Sequence, residues 1–386
     1  MNRDHPLRAT PLEIAAGFVV GEHPGADPVA DDGDGDPLRA LEQATLPALS
    51  RPPCLVSFSG GRDSSAVLAV ASRAARRHGL ALPVPVTLRF GAAADTHETS
   101  WQDDVVTHLG LDDWIRIDAG EELDLLGPHS AAALSRHGVL WPPNTYVHAP
   151  MLQRATGGSL LTGLEGDGLL GGWRWLRVAD VVTGRARPEP RDLLRLAHAA
   201  MPKRARRVIA SRRAHSTPLW LKQEAQRAVT KRWAAEEAAE PVAWNERVRW
   251  WARRRYLAVA RNSFQVLAAA ENVSLGHPLL DPRWLAALAR VGGRTGAGDR
   301  TRWMRALFAD ILPARVVARS SKAVFTHALW GEPSRAFAKT WSGAGVDTEL
   351  VDVATLRATW TNPVPDFRSA CLLQRAWALT SSGHKL

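Results

Sequence analysis

Cysteine is scarce in this chain: Cys54 and Cys371 are the only two. Two thiols make neither a disulfide framework nor a zinc pattern. Cys54 falls in an apolar run and reads as a buried free thiol, which suits a reducing, cytoplasmic compartment. No apolar run approaches the roughly twenty residues that a membrane-spanning helix needs. The short run Ile14 to Val20 lacks the basic flank of a secretory signal. There is no internal repeat. Lysine is rare as well, six residues against 49 lysines and arginines together. Negative charge is in deficit: the net charge is +10 and the pI about 10.4. That balance favours an acidic partner, whether nucleic acid, nucleotide or an anionic surface. Hydrophobic residues make up 45% and charged residues 23%, the mix of a globular protein, and 386 residues suffice for two or three units with their own cores.

One stretch organises the rest: Ser59-Gly60-Gly61-Arg62-Asp63-Ser64-Ser65. It follows an apolar run, Cys54 to Phe58, that reads as a buried strand, and it leads into a helical pattern from Ala66 to Ser72. A strand, a glycine turn and a helix start put free backbone N–H groups where a phosphate can sit. Gly60 and Gly61 let the backbone approach the anion, and Ser59, Ser64 and Ser65 add hydroxyls. Asp63 repels a phosphate unless a cation lies between them, so the stretch points to a magnesium-bound polyphosphate. No lysine follows the glycines, which excludes the G-x-x-x-x-G-K loop of the common NTPases. The competing reading is a Ser/Gly turn that merely caps a helix.

The chain divides by composition. Residues 1–50 are an extension with one apolar segment, Leu12 to Val20, and an acidic linker, Asp31-Asp32-Gly33-Asp34-Gly35-Asp36. That run lacks the glutamate a calcium loop requires. Leu38 to Leu49 reads as a helix. Residues 51–180 alternate strands and helices: strands at Val84 to Phe90, Trp114 to Ile117 and Gly158 to Gly163, and a helix from Glu98 to Leu109. The pattern predicts a parallel α/β sheet with ligands at the strands' carboxyl ends, where Ser59, Phe90 and Gly163 would converge. Residues 181–260 interleave arginine clusters (Lys203 to Arg207, Arg212-Arg213, Arg253 to Arg255) with Trp220, Trp233, Trp244, Trp250 and Trp251. This is a weak nucleic-acid signal; packed tryptophans with arginines facing water is the favoured reading. Residues 261–386 are expected to be mainly helical, with Gly276 to Leu285 and Leu312 to Phe325 standing out.

The first loop resembles the S-G-G-x-D-S loop of the ATP pyrophosphatases, which cleave ATP between the α- and β-phosphates. Three further segments in order make the chain similar to the synthetase domain of the asparagine synthetase family, from about residue 50 to about 330. That family includes β-lactam synthetases and lasso-peptide cyclases. Thr162 to Trp173 resembles the S-G-E-G-S-D-E-x-x-G-G-Y segment, His277 to Asp281 the V-P-F-L-D segment, and Lys322 with Phe325 the K-x-x-F segment. The resemblance implies an α/β fold: a parallel-sheet, adenine nucleotide α-hydrolase-like (ATP pyrophosphatase) domain with a mainly helical C-terminal part. It implies ATP and Mg2+ as cofactors, with Asp63 and Asp167 as metal ligands and Lys322 on the phosphates. Ser57, Ser59, Gly60, Gly61, Asp63, Ser64, Ser65, Thr87, Thr162 and Gly163 would bind the nucleotide.

The chain departs from the family on the acceptor side. Leu164 stands where the family has a glutamate, with Glu165 one place later, and Gly168 replaces the glutamate after the second aspartate. Glu165 is therefore the candidate base for an attacking amine, with Tyr146 a weaker helper whose ordinary reading is packing. A small-molecule or peptide carboxylate is the expected substrate, with ammonia or an amine from a separate source. Nucleic acid and membrane are not expected partners, and no glutaminase domain is expected in this chain. Two rivals share the loop: a tRNA-modifying ATP pyrophosphatase of the lysidine-synthetase kind, and a degenerate nucleotide- or partner-binding subunit.

Overall fold

Strand β1, Cys54–Ser57, lies at the middle of a five-stranded sheet with β2 (Val84–Phe90), β3 (Ile115–Ala119), β4 (Ser159–Leu161) and β5 (Ser274–Gly276). The computed structural model describes residues 7–26, 29, 35–90, 99–212, 217–320 and 327–381. Asp31 to Asp34, Glu98, Arg213, Lys322 and Phe325 lie outside these described residues. The strand order is β3-β2-β1-β4-β5, and every pairing is parallel. Parallel strands are buried on both faces, which explains why β1 reads as a continuous apolar run. The pleat sends Leu55 and its register partner Leu160 to one face, and Cys54, Val56 and Leu161 to the other. Helices Pro37–Leu49, Arg62–His78 and Pro282–Gly292 cover the second face; the helix Ala370–Ser381 helps cover the first. Both cysteines are buried and free, and burial pushes the thiols up to about 11 at Cys54 and about 12 at Cys371.

The order also fixes where a ligand can enter. From β1 the chain moves outward to β2 and β3, then returns to place β4 on the other side of β1. The loops after β1 and β4 therefore leave in opposite directions and open a crevice between them, the usual ligand position in such sheets. Residues 261–386 are mainly helical, as expected, and β5 is the exception among the described residues. It is a three-residue edge strand held by Leu160↔Leu275 register with β4, too short to show a period of its own.

The basic region, residues 181–260, departs from its expectation. Its tryptophans Trp220, Trp244 and Trp251 are buried as expected, but Trp233 is 40% exposed and the arginines do not all face water. Arg206 and Arg254 are 6% and 2% exposed. Arg254 pairs with Glu236 and stacks over Trp250 at 4.5 Å; Arg206 donates to the Glu240 carbonyl at 3.1 Å and lies over Trp175. Guanidinium groups keep their charge while their planar faces pack on indoles, which lets arginine enter a core that would exclude lysine.

Trp244 shows what holds these helices on the sheet. It stacks on Trp303 at 5.2 Å, meets the edge of Trp173 at 5.4 Å, and presses on Gly292, where a Cβ would fall 2.3 Å from its ring. Trp244→Ala should cost about 3–5 kcal/mol of stability in urea unfolding, and a loss below about 1 kcal/mol would contradict this packing.

Candidate functional site

The loop after β1 is tied down from outside. Thr87 donates its hydroxyl to the Phe58 carbonyl at 2.7 Å, Gln102 its amide to the Ser59 carbonyl at 3.1 Å, and Arg319 its guanidinium to the Gly60 carbonyl at 3.0 Å. Inside the loop, Ser64 Oγ accepts from the Ser59 N–H at 3.2 Å and donates to the Gly61 carbonyl at 3.1 Å. Gly60 takes a φ of +80°, the left-handed region where a side chain is disfavoured. Gly61 then starts the helix Arg62–His78 with no side-chain cap. The first-turn N–H groups and the positive end of a 17-residue helix thus face the crevice.

The loop after β4 comes very close to this one. A Cβ on Gly163 would fall 2.7 Å from the Ser64 nitrogen, and one on Gly166 only 2.3 Å from the Asp63 carboxyl carbon. Glycine is required at both positions for backbone approach, which brings Asp167, on the short helix Gly166–Leu170, within hydrogen-bond range of Asp63. Arg247 holds that helix from behind: buried to 3%, it donates to the carbonyls of Gly168 at 2.7 Å and Gly171 at 3.1 Å. Arg300 donates to both Asp63 oxygens at 2.7 Å and stands 3.7 Å from Asp167. Burial and the neighbouring Asp167 carboxyl raise Asp63 to about 7, against the pull of Arg300. Among the described residues no group of three or more His, Cys, Asp or Glu could hold a metal. The two carboxylates alone fit a magnesium ion, which takes one or two from the protein and fills its other positions with water and phosphate oxygens.

Across the crevice from the loop helix, Glu165 adopts φ +68°, unusual for a residue with a side chain. Its Oε2 accepts from the Tyr256 hydroxyl at 2.8 Å, above Gly168, where a Cβ would fall 2.5 Å from that same oxygen. The replacement of glutamate by Gly168 thus leaves the space that the Glu165 carboxylate fills. Thr162 shares a 2.7 Å hydrogen bond with His277 Nδ1. His277 and His148 flank Phe264 edge-on, and burial lowers them to about 3 and about 4, so both rings are neutral near pH 7.

A cavity of about 590 Å³ joins these parts, a size suited to a small-molecule ligand. Ser57, Ser59, Gly61, Asp63, Ser64, Thr162, Gly163, Glu165 and Asp167 line it, as does Phe90. Three expected residues do not: Gly60 turns its carbonyl to Arg319, Ser65 is fully buried, and Thr87 braces the loop while accepting from the Trp114 indole at 3.0 Å. Lys322 lies outside the described residues. Tyr146 packs in the core and donates to the Leu123 carbonyl at 2.9 Å. Sequence reasoning missed Arg62, Gln102, His148, Arg300 and Arg319 in the lining, and Tyr256 beside it. An arginine-rich chain gives no local signal for which guanidinium reaches the crevice. Tyr256, one of only two tyrosines, carried the only rarity signal.

The buried carboxyl has a testable pH signature. With its folded pKa raised from 3.8 to about 7, Asp63 favours the ligand-free fold below about 4, and that contribution is lost as the pH rises to about 7. His148 and His277 act in the opposite sense over part of that range, so a difference measurement is needed. The unfolding free energy of Asp63→Asn relative to wild type should move in the variant's favour from about pH 4 to about pH 7 and stay level above. A difference independent of pH would contradict the burial argument.

No curated protein matches the chain. The model of the asparagine synthase family matches residues 38–380, nearly the whole length. With a parallel sheet of the ATP pyrophosphatase type beneath this cavity, the chain belongs to the asparagine synthase family, whose members are in general ATP-dependent, amide-forming ligases.

Proposed function

We propose that this protein activates a substrate carboxylate with ATP and joins the acyl group to an amine or to ammonia. The observation that carries the reading is the Asp63–Asp167 pair at the mouth of an uncapped helix N-terminus, with Arg300 against it. ATP would lie with its phosphates on the Ser59–Ser64 loop, and Asp63 and Asp167 would hold magnesium. When bound, that ion supplies charge neutralisation on the phosphates. Arg62, Arg300 and Arg319, all in the cavity wall, share that task on the departing pyrophosphate. Lys322 joins them on the strength of the sequence alone.

A carboxylate oxygen of the substrate bonds to the α-phosphorus, the bond to the β-phosphate oxygen breaks, and pyrophosphate leaves. The amine nitrogen then adds to the acyl-adenylate carbonyl, AMP departs, and the nitrogen's proton passes to Glu165. The Tyr256 hydroxyl orients that carboxylate through its 2.8 Å bond. Holding the amine and the acyl carbon together in one cavity supplies much of the remaining acceleration. Which carboxylate and which amine enter is set by the far wall, where Asn144, Val147, Met151 and Phe264 stand.

Incubation with ATP, magnesium and a panel of carboxylates should release pyrophosphate and AMP; ADP with phosphate would refute the scheme. Asp167→Asn and Lys322→Ala should abolish that release. Glu165→Gln should retain acyl-adenylate formation, trapped with hydroxylamine, while amide formation falls about a hundredfold or more. Tyr256→Phe should fall about tenfold in the same step, with the pH profile of amide formation displaced. Equal loss of both half-reactions in Glu165→Gln would remove it from the role of base.

A further inference from the structure

The chain carries a second concavity, remote in chemistry from the first. It is a groove of about 700 Å³ between the helices Lys203–Arg212 and Gln223–Ala239. Arg204 and Arg207 line it from the first helix, Arg227 and Lys231 from the second. The spacings are three and four residues, so each helix sets a pair of like charges on one face, and both faces turn to the same groove. All four are exposed. Among the described residues none makes an ion pair or a hydrogen bond, and no carboxylate lines the groove. The second helix places other charges in ion pairs: Glu236 holds Arg254 and Glu237 holds Arg174. Three of the polar groups that line the groove are spent locally. Ser211 donates to Val208, Thr230 to Gln226 and Gln226 to Leu221, at 2.8, 2.9 and 2.8 Å. The four cations are the charged donors left for a ligand among the described residues, with the Thr217 hydroxyl and the Gln223 amide beside them.

We infer that this groove binds an acidic segment of a partner polypeptide. Four uncompensated cations in one concavity repel one another and focus a positive potential that carboxylates relieve. Arginine's fork suits a carboxylate pairwise. Single-stranded nucleic acid is disfavoured because, among the described residues, no aromatic side chain lines the groove to stack a base. A bilayer is disfavoured because the apolar lining, Val208 and Ala234, belongs to a concave groove rather than to a projecting face.

The test uses the full chain and a fluorescein-labelled, glutamate-rich peptide, read by anisotropy. The peptide should bind at low salt and weaken steeply as salt is raised toward about 0.5 M. Its glutamine counterpart should not bind. Arg207→Ala combined with Arg227→Ala should weaken binding about tenfold, with the far-ultraviolet circular dichroism and ATP binding in the main cavity unchanged. Equal affinity in the double variant overturns the proposal. So does tighter binding of a single-stranded RNA of matched charge, or retention on anionic vesicles without peptide binding. Because peptide binding is read independently of catalysis, its failure leaves the ligase reading untouched, and the reverse holds.

Discussion

Two carboxyl groups held against each other are the constraint around which the site is built. Asp63 begins a helix, Asp167 sits in the first turn of another, and nothing in either segment alone calls for their meeting. What forces it is backbone proximity. Gly163 and Gly166 remove the two side chains that would separate the loops after β1 and β4, and the sheet order places those loops opposite each other. The cost of crowding two anions is met by raising one pKa and by Arg300. A site built this way has a standing demand for positive charge, which a divalent cation would satisfy better than a single guanidinium can.

The same crowding reorganises the acceptor side. With Gly168 in place, a second side chain can occupy the volume above it, and Glu165 does so in a left-handed backbone conformation. Such a conformation persists only where its surroundings over-determine it. Here the Tyr256 hydroxyl holds the carboxylate, and Arg247 pins the carbonyls of the following helix. Gly168 and Glu165 are thus structurally coupled: the glycine leaves open the volume that the carboxylate occupies.

The legible parts of the chain were those encoded locally. The run Cys54 to Phe58, the seven residues Val84 to Phe90 and the amphipathic helix after the glycine turn each carry their own period and punctuation, so their type and place follow from the sequence. The convergence of Ser59, Phe90 and Gly163 followed from the rule for parallel sheets. What stayed hidden depends on partners distant in sequence. Thr87 has the right position along β2 to face a nucleotide, yet its hydroxyl is committed to Phe58 and Trp114. Arg300 reaches Asp63 across 237 positions. β5 exists only because Leu275 lies beside Leu160.

Arginine's dominance over lysine follows from the same logic. A basic chain of this composition invites the reading that its charge is all for the surface or for nucleic acid. Instead, Arg206, Arg247, Arg254 and Arg319 are buried, at 6%, 3%, 2% and 6% exposure. Each donates to a carbonyl or carboxylate inside the fold: Arg247 bridges the carbonyls of Gly168 and Gly171, Arg319 reaches Gly60, Arg206 reaches the Glu240 carbonyl and Arg254 pairs with Glu236. A lysine offers a single hydrated point charge and cannot bridge two or three carbonyls while stacking on an indole. Part of the +10 charge is therefore structural, spent inside the protein on holding the crevice's two loops. Arg204, Arg207, Arg227 and Lys231, in the groove between the helices Lys203–Arg212 and Gln223–Ala239, have no such structural use among the described residues, which is the basis of the proposal that they take a ligand.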